Sequence, residues 1–149
     1  MEDLMITVLL VDDNGPVQAG IEYILRHAED IEVIGTATNG EEAVRQAREA
    51  CPDVAVVDIS MPIMDGIETT QHLRELCQHT RVVILSAYDS PGYVWGAIEV
   101  GARGYVLKEV IGQDLVPAVR ALAVGERYFS AGIAPYAEQY SNSQRDQSE

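Results

Sequence analysis

The chain has 149 residues, long enough for one domain with a sizeable core, and its 47% apolar content argues against a disordered polypeptide. Ten basic side chains face 24 acidic ones, a net charge of −14, which speaks against direct nucleic-acid contact, because phosphate binding needs clustered positive charge. No apolar stretch has the length of a membrane span, and the opening MEDLMITVLLVDD lacks the positive region of a signal peptide. Cys51 and Cys77 are too far apart in sequence for a short metal or redox motif. They read as two buried thiols, and the chain as cytoplasmic.

Along the chain, MITVLLV at 5–11 is a continuous β-rich run suited to a strand covered on both faces. Val17, Ile21, Ile24 and Leu25 then line one side of a helix. IEVIGTA at 31–37 predicts a strand, and EEAVRQAREA at 41–50 a helix capped by Asn39. PDVAVVD at 52–58 is a third strand. Residues 66–77 carry a helical stripe of Ile67, Thr70, Leu73, Leu76 and Cys77, with Asp65 as turn residue and N-cap. VVILSA at 82–87 predicts a strand, YVWGAIEVGA at 93–102 a short helix, RGYVLK at 103–108 a strand and DLVPAVRALAVG at 114–125 a last helix. Five strands therefore alternate with five helices at βαβ spacing, and right-handed crossovers place helices on both faces of a parallel sheet. After Gly125 the pattern lapses. ERYFSAGIAPYAEQY has room for a short helix, and SNSQRDQSE at 141–149 reads as frayed. The expected organisation is a domain over 5–125 and a linker or tail, partly disordered, over 126–149.

The strand ends carry groups that a buried strand would not choose. The first ends in Asp12 and Asp13, the third in Asp58, the fourth in Ser86 and the fifth in Lys108. A parallel sheet brings all of them to one rim, where ligands of such folds bind. Three carboxylates in one place repel each other unless a cation is present. Mg²⁺, a hard ion that keeps several waters, suits so few oxygen ligands. A nucleophilic Asp58, the Ser86 hydroxyl and the mobile charge of Lys108 then point to phosphoryl transfer onto the protein itself. The histidines, His27, His72 and His79, lack metal-ligand spacing and read as surface or packing residues.

LLVDD at 9–13, VVDISMPIMDG at 56–66, VVILSA at 82–87 and GYVLK at 104–108 together resemble the receiver domain of two-component response regulators. VGARGYVLKE at 100–109 and GERYFS at 125–130 are most similar to the subfamily whose receiver is joined to a C-terminal LuxR-type helix-turn-helix domain. The resemblance implies a doubly wound, five-stranded parallel sheet with five helices, flavodoxin- and CheY-like. It implies Asp58 as phosphoacceptor, and Mg²⁺ held by Asp12, Asp13, Asp58 and the backbone carbonyl of Ser60. Ser86 resembles the switch hydroxyl, Lys108 the lysine that pairs with the phosphoryl group, and Tyr105 the aromatic switch that rotates inward. Such a domain catalyses only its own phosphorylation and slow dephosphorylation. Its implied phosphodonor is a sensor histidine kinase or phosphotransfer protein, its implied response a homodimer, and its implied output DNA binding through a further domain that the sequence does not contain. A fragment of a longer regulator is therefore expected rather than a naturally short one.

Some positions depart from the family pattern. Glu109 follows Lys108 where many receivers have proline, and Asn14-Gly15 follow the acidic pair where bulkier residues are common. Tyr88 and Ser60, each two residues beyond a site residue, are placed to control water access. Three rival readings stay open: a haloacid-dehalogenase-like phosphatase, although its second aspartate lies two residues after the first; a receiver-like module that is never phosphorylated; and a flavodoxin-like nucleotide binder, although no glycine-rich phosphate loop follows the first strand.

Overall fold

The computed structural model describes residues 5–147. In chain order the elements are β1 (Ile6–Val11), α1 (Gly15–Arg26), β2 (Ile31–Ala37), α2 (Gly40–Glu49), β3 (Val54–Asp58), α3 (Gly66–Leu76), β4 (Arg81–Ser86), α4 (Pro91–Glu99), β5 (Gly104–Leu107), a single 3₁₀ turn (Lys108–Val110), α5 (Ile111–Ala123), β6 (Tyr128–Phe129) and α6 (Ala134–Gln147). All strands run parallel in the order β2-β1-β3-β4-β5-β6. The strand order reverses at β1, so a crevice opens beyond the carboxyl ends of β1 and β3.

The sheet divides the core into two layers because side chains alternate along each strand. Leu9, Val11, Ala55, Val57 and Ile84 face one layer, closed by Ala43, Leu73 and Val94 of α2, α3 and α4. Val8, Leu10, Val54, Val56 and Val106 face the other, closed by Ile21 and Leu25 of α1 and by Leu115, Val119 and Leu122 of α5. The inner strands therefore show no polar alternation, and their polar residues, Thr7 and Arg81 near the starts and Asp58 and Ser86 at the ends, lie toward the strand margins.

Caps set the helix starts. The side chains of Asn14, Asn39 and Asp65 accept the backbone N–H of Val17, Glu42 and Glu68. Pro16 sits in the first turn of α1, where its missing N–H costs nothing. Gly66 is required by close approach: a Cβ there would run into the Asp58 carbonyl oxygen.

Three expectations change. The sheet has a sixth strand, in which Tyr128 and Phe129 pair with Gly104 and Tyr105, and a sixth helix follows it. Two residues are too few to show a strand period, and only the exposed edge of β5 makes them a strand. Residues 141–147, expected to fray, lie in α6; residues 148–149 lie outside the described residues. Third, Cys51 and Cys77 are not thiols but a disulfide, with Cα atoms 5.8 Å apart. Cys51 is exposed and only Cys77 is buried. The physical reason is the crossover itself. α3 runs antiparallel to β3, so its C-cap, Cys77, returns to the start of that strand, beside Cys51. Among the described residues no helix is long and apolar enough to cross a membrane.

Candidate functional site

The rim is built from the ends of β1, β3, β4 and β5. Asp12 is fully buried. Its backbone N–H continues the ladder to the Ala37 carbonyl (3.0 Å), and its Oδ1 accepts the Asn14 N–H (2.8 Å). Gln18, one turn into α1, donates to the carbonyls of both Asp12 (3.2 Å) and Ala37 (2.9 Å), tying the ends of β1 and β2 together. Asp12 Oδ2 is buried and accepts no hydrogen bond. Asp13 is exposed.

Asp58, 2% exposed, closes β3. Its Oδ1 accepts the Ser60 N–H (3.2 Å) and lies 3.1 Å from Lys108 Nζ. Lys108 also stands 3.7 Å from Asp12 Oδ2, and it is the only lysine in the sequence. One carboxylate oxygen from each of Asp12, Asp13 and Asp58 falls within 4.8 Å of the others. Burial first, and the Asp12 charge second, push the Asp58 carboxyl above the usual carboxylate range, while Lys108 and the Ser60 N–H pull it back. The acidic cluster is thus a buried excess of negative charge with one cation against it. Its chemistry suits a hard divalent ion, and the unpartnered Asp12 Oδ2 fits that requirement.

The loop from β3 to α3 is held in an uncommon shape. Ile63 has φ +71°, and the Met64 N–H bonds the Pro62 carbonyl (2.7 Å), forming a γ-turn centred on Ile63. A β-branched residue with positive φ is strained, and Ile63 is 74% exposed, so burial does not offset that strain. Asp13, Ser60, Met61, Asp65, Ile67 and Tyr93 line an open cleft beside the acidic cluster.

Ser86 is fully buried, and its Oγ accepts the Tyr88 N–H (2.8 Å). Tyr105 points inward, fully buried, and its hydroxyl donates to the Tyr88 carbonyl (2.7 Å). Burial raises the Tyr105 phenol pKa. Ser86 and Tyr105 thus grip the two backbone groups of one residue. The Tyr88 ring stacks on Tyr93, with centroids 4.8 Å apart. The peptide bonds are all trans among the described residues, Lys108–Glu109 included.

The structure therefore brings Asp12, Asp13, Asp58 and Lys108 together, and sets Ser86 of β4 and Tyr105 of β5 against the loop that follows β4. Sequence reading missed Gln18, whose role depends on two carbonyls from different loops. It also missed the grip on Tyr88, which is visible only once β4 and β5 are neighbours.

Residues 8–120 match the family described as the response regulator receiver domain. The chain is 36% identical over 129 residues to the nitrate/nitrite response regulator NarL of Escherichia coli K12, covering 87% of this chain and 60% of that one. It is 38% identical to the transcriptional regulatory protein LiaR of Bacillus subtilis, covering 87% and 62%. The chain thus spans about 60% of the length of the curated relatives it matches. Among solved structures, a LuxR-family two-component response regulator from Aurantimonas sp. SI85-9A1 superposes with a TM-score of 0.86 at 33% identity, over 91% of this chain and 97% of that one. The receiver domain of NarL from Mycobacterium tuberculosis gives 0.79 at 32% identity, over 83% and 99%. With its parallel sheet, its acidic rim and these relatives, the chain belongs to the response regulator receiver family of two-component systems.

Proposed function

We propose that Asp58 accepts a phosphoryl group from a histidine kinase or a phosphotransfer protein, and that Ser86, Lys108 and Tyr105 sense it. What carries the reading is a buried Asp58 carboxylate 3.1 Å from the single lysine, with two further carboxylates within 4.8 Å. The Ser60 N–H and Lys108 Nζ both engage Asp58 Oδ1 and fix the carboxyl plane for in-line attack. An Asp58 oxygen forms the new bond to phosphorus as the bond to the donor breaks, and the donor leaves with its electron pair. Asp12, Asp13, Asp58 and the Ser60 carbonyl would hold Mg²⁺, which supplies charge neutralisation for the transferring oxygens. Lys108 already lies beside the carboxylate and needs only a small displacement to follow the added charge. The chemistry is confined to the protein's own side chain.

The response is a change between two arrangements. A phosphoryl group adds charge and strong acceptors. A Ser86 hydroxyl drawn toward it releases the Tyr88 N–H. Tyr88 is also held by Tyr105, so the loop between β4 and α4 shifts as a unit, and with it the face formed by α4, β5 and α5. LiaR is a transcriptional regulatory protein, which supports control of transcription as the output, and this chain covers 62% of its length; we assign the DNA contact to a domain outside this segment. We place the regulator in the cytoplasm, where kinases of this family act, and assign activation to homodimer formation. The cysteine argument for that compartment falls with the disulfide.

Incubation with acetyl phosphate and Mg²⁺ followed by intact mass measurement tests the reading. One added phosphoryl mass, absent in Asp58→Asn, supports it. No gain at saturating Mg²⁺ supports the module that is never phosphorylated.

A further inference from the structure

A second buried carboxylate lies outside the acidic rim. Asp114, in the first turn of α5, is 7% exposed and accepts hydrogen bonds from the Tyr128 hydroxyl (3.0 Å) and the Ser130 hydroxyl (2.7 Å). Ser130 is 1% exposed. A serine hydroxyl has one proton to give. With that proton committed to Asp114, its oxygen is left to accept, and it accepts the Leu107 N–H at 3.1 Å.

That last bond replaces a piece of the sheet. The Ser130 N–H donates to the Tyr105 carbonyl (3.0 Å), continuing the β5–β6 ladder by one rung. The next acceptor along a parallel ladder would be the Ser130 carbonyl. That carbonyl is instead committed to the turn leading into α6, where it accepts from Ile133 (2.8 Å) and Ala134 (3.0 Å). The side-chain oxygen takes its place, so the buried Leu107 N–H is not left unpaired. Leu107 immediately precedes Lys108.

We propose that Ser130, oriented by Asp114, is a positioning residue for phosphoryl transfer: it fixes the backbone at the end of β5 so that Lys108 is presented to Asp58. Its catalytic consequence rests on the phosphoacceptor reading above; its geometric content, the placement of Lys108, does not. The same serine ends β6 and starts the turn into α6, which is tied to α4 by the Trp95 indole N–H donating to the Tyr136 carbonyl (3.0 Å). Displacement of Lys108 is therefore linked to the C-terminal helix through one side chain.

Because Lys108 is the only lysine, chain labelled with ¹³Cε-lysine gives one lysine methylene resonance. The wild-type signal is expected to move on Asp58→Asn. In Ser130→Ala it should sit near the position of free lysine and lose that response, and Ser130→Thr should restore both. With acetyl phosphate and Mg²⁺, Ser130→Ala should label about tenfold more slowly, and Ser130→Thr within about twofold of wild type. If Ser130→Ala does not fold, Asp114→Leu carries the test, since a side chain of similar size with no acceptor leaves the Ser130 hydroxyl unoriented and the lysine signal should shift the same way. An unchanged lysine resonance in the folded variants, with labelling within about twofold of wild type, overturns the proposal. If wild type takes no phosphoryl group, the phosphoacceptor reading falls, and the lysine resonance alone decides the placement.

Discussion

The two edges of the sheet treat polar groups in opposite ways. At the amino edge most are matched, the exception being the buried Arg103 Nε, which has no hydrogen-bond partner. Thr7 and Asp53 exchange two hydrogen bonds, Thr7 N–H to Asp53 Oδ2 and Asp53 N–H to Thr7 Oγ1, both 2.9 Å. The buried Thr80 hydroxyl donates to the Pro52 carbonyl (2.6 Å), and the Cys51–Cys77 disulfide closes the loop around β3 and α3. At the carboxyl edge a buried carboxylate oxygen of Asp12 has no hydrogen-bond donor, three acids crowd within 4.8 Å, and the following loop bends through a strained Ile63. One edge stabilises and the other reacts. Unmatched buried charge is costly, and it persists at the rim to which the proposed function assigns a cation and a phosphoryl group.

The comparison predicts a separation between chemistry and stability. Lys108→Ala should slow labelling by acetyl phosphate about 100-fold, and with saturating Mg²⁺ in place of the lost charge the melting temperature should change little. At the other edge, reduction or Cys77→Ser should cost about 3.5 kcal/mol, the loop-closure value for a bridge spanning 26 residues. Denaturant titration reads this loss, and the folded fraction should still label at the wild-type rate. If the disulfide variant labels slowly, the edges are not independent.

A smaller effect concerns Asp58 without metal. Its carboxyl is raised by burial and by Asp12, against the pull of Lys108 and the Ser60 N–H. A group whose folded pKa exceeds its unfolded one contributes stability below the unfolded value and loses it as pH rises through the folded value. Metal-free wild type should therefore lose stability relative to Asp58→Asn as pH rises from about 4, and Mg²⁺ should narrow the gap. Equal pH profiles would show that the rim carries no electrostatic cost. The smallest expected change is Ile63→Asn, which relieves a β-branched residue at positive φ and should add about 1 kcal/mol; thermal melting checks it.

The parallel core and the rim are legible in the sequence because the polar residues break long β-branched runs at their ends. VVD at 56–58 and GYVLK at 104–108 announce both the strand and the group that it delivers. Other features depend on neighbours that the sequence does not name. Tyr128 and Phe129 are a strand only because β5 offers an edge. The cysteines pair only because a crossover helix returns to the start of its strand. Ser130 and Asp114 look like ordinary tail and helix-start residues until α5, β5 and β6 meet. Gln18 acquires its role from carbonyls on two different loops. Local pattern shows where polar groups end up, and tertiary contact decides which of them are matched.

Borohydride trapping tests the central claim most directly. After incubation with acetyl phosphate and Mg²⁺, reduction of an aspartyl phosphate converts the modified aspartate to homoserine, which peptide mass spectrometry locates. The account predicts homoserine at position 58 and nowhere else. Homoserine at Asp12 or Asp13, or phosphorylated protein with none at 58, would contradict it.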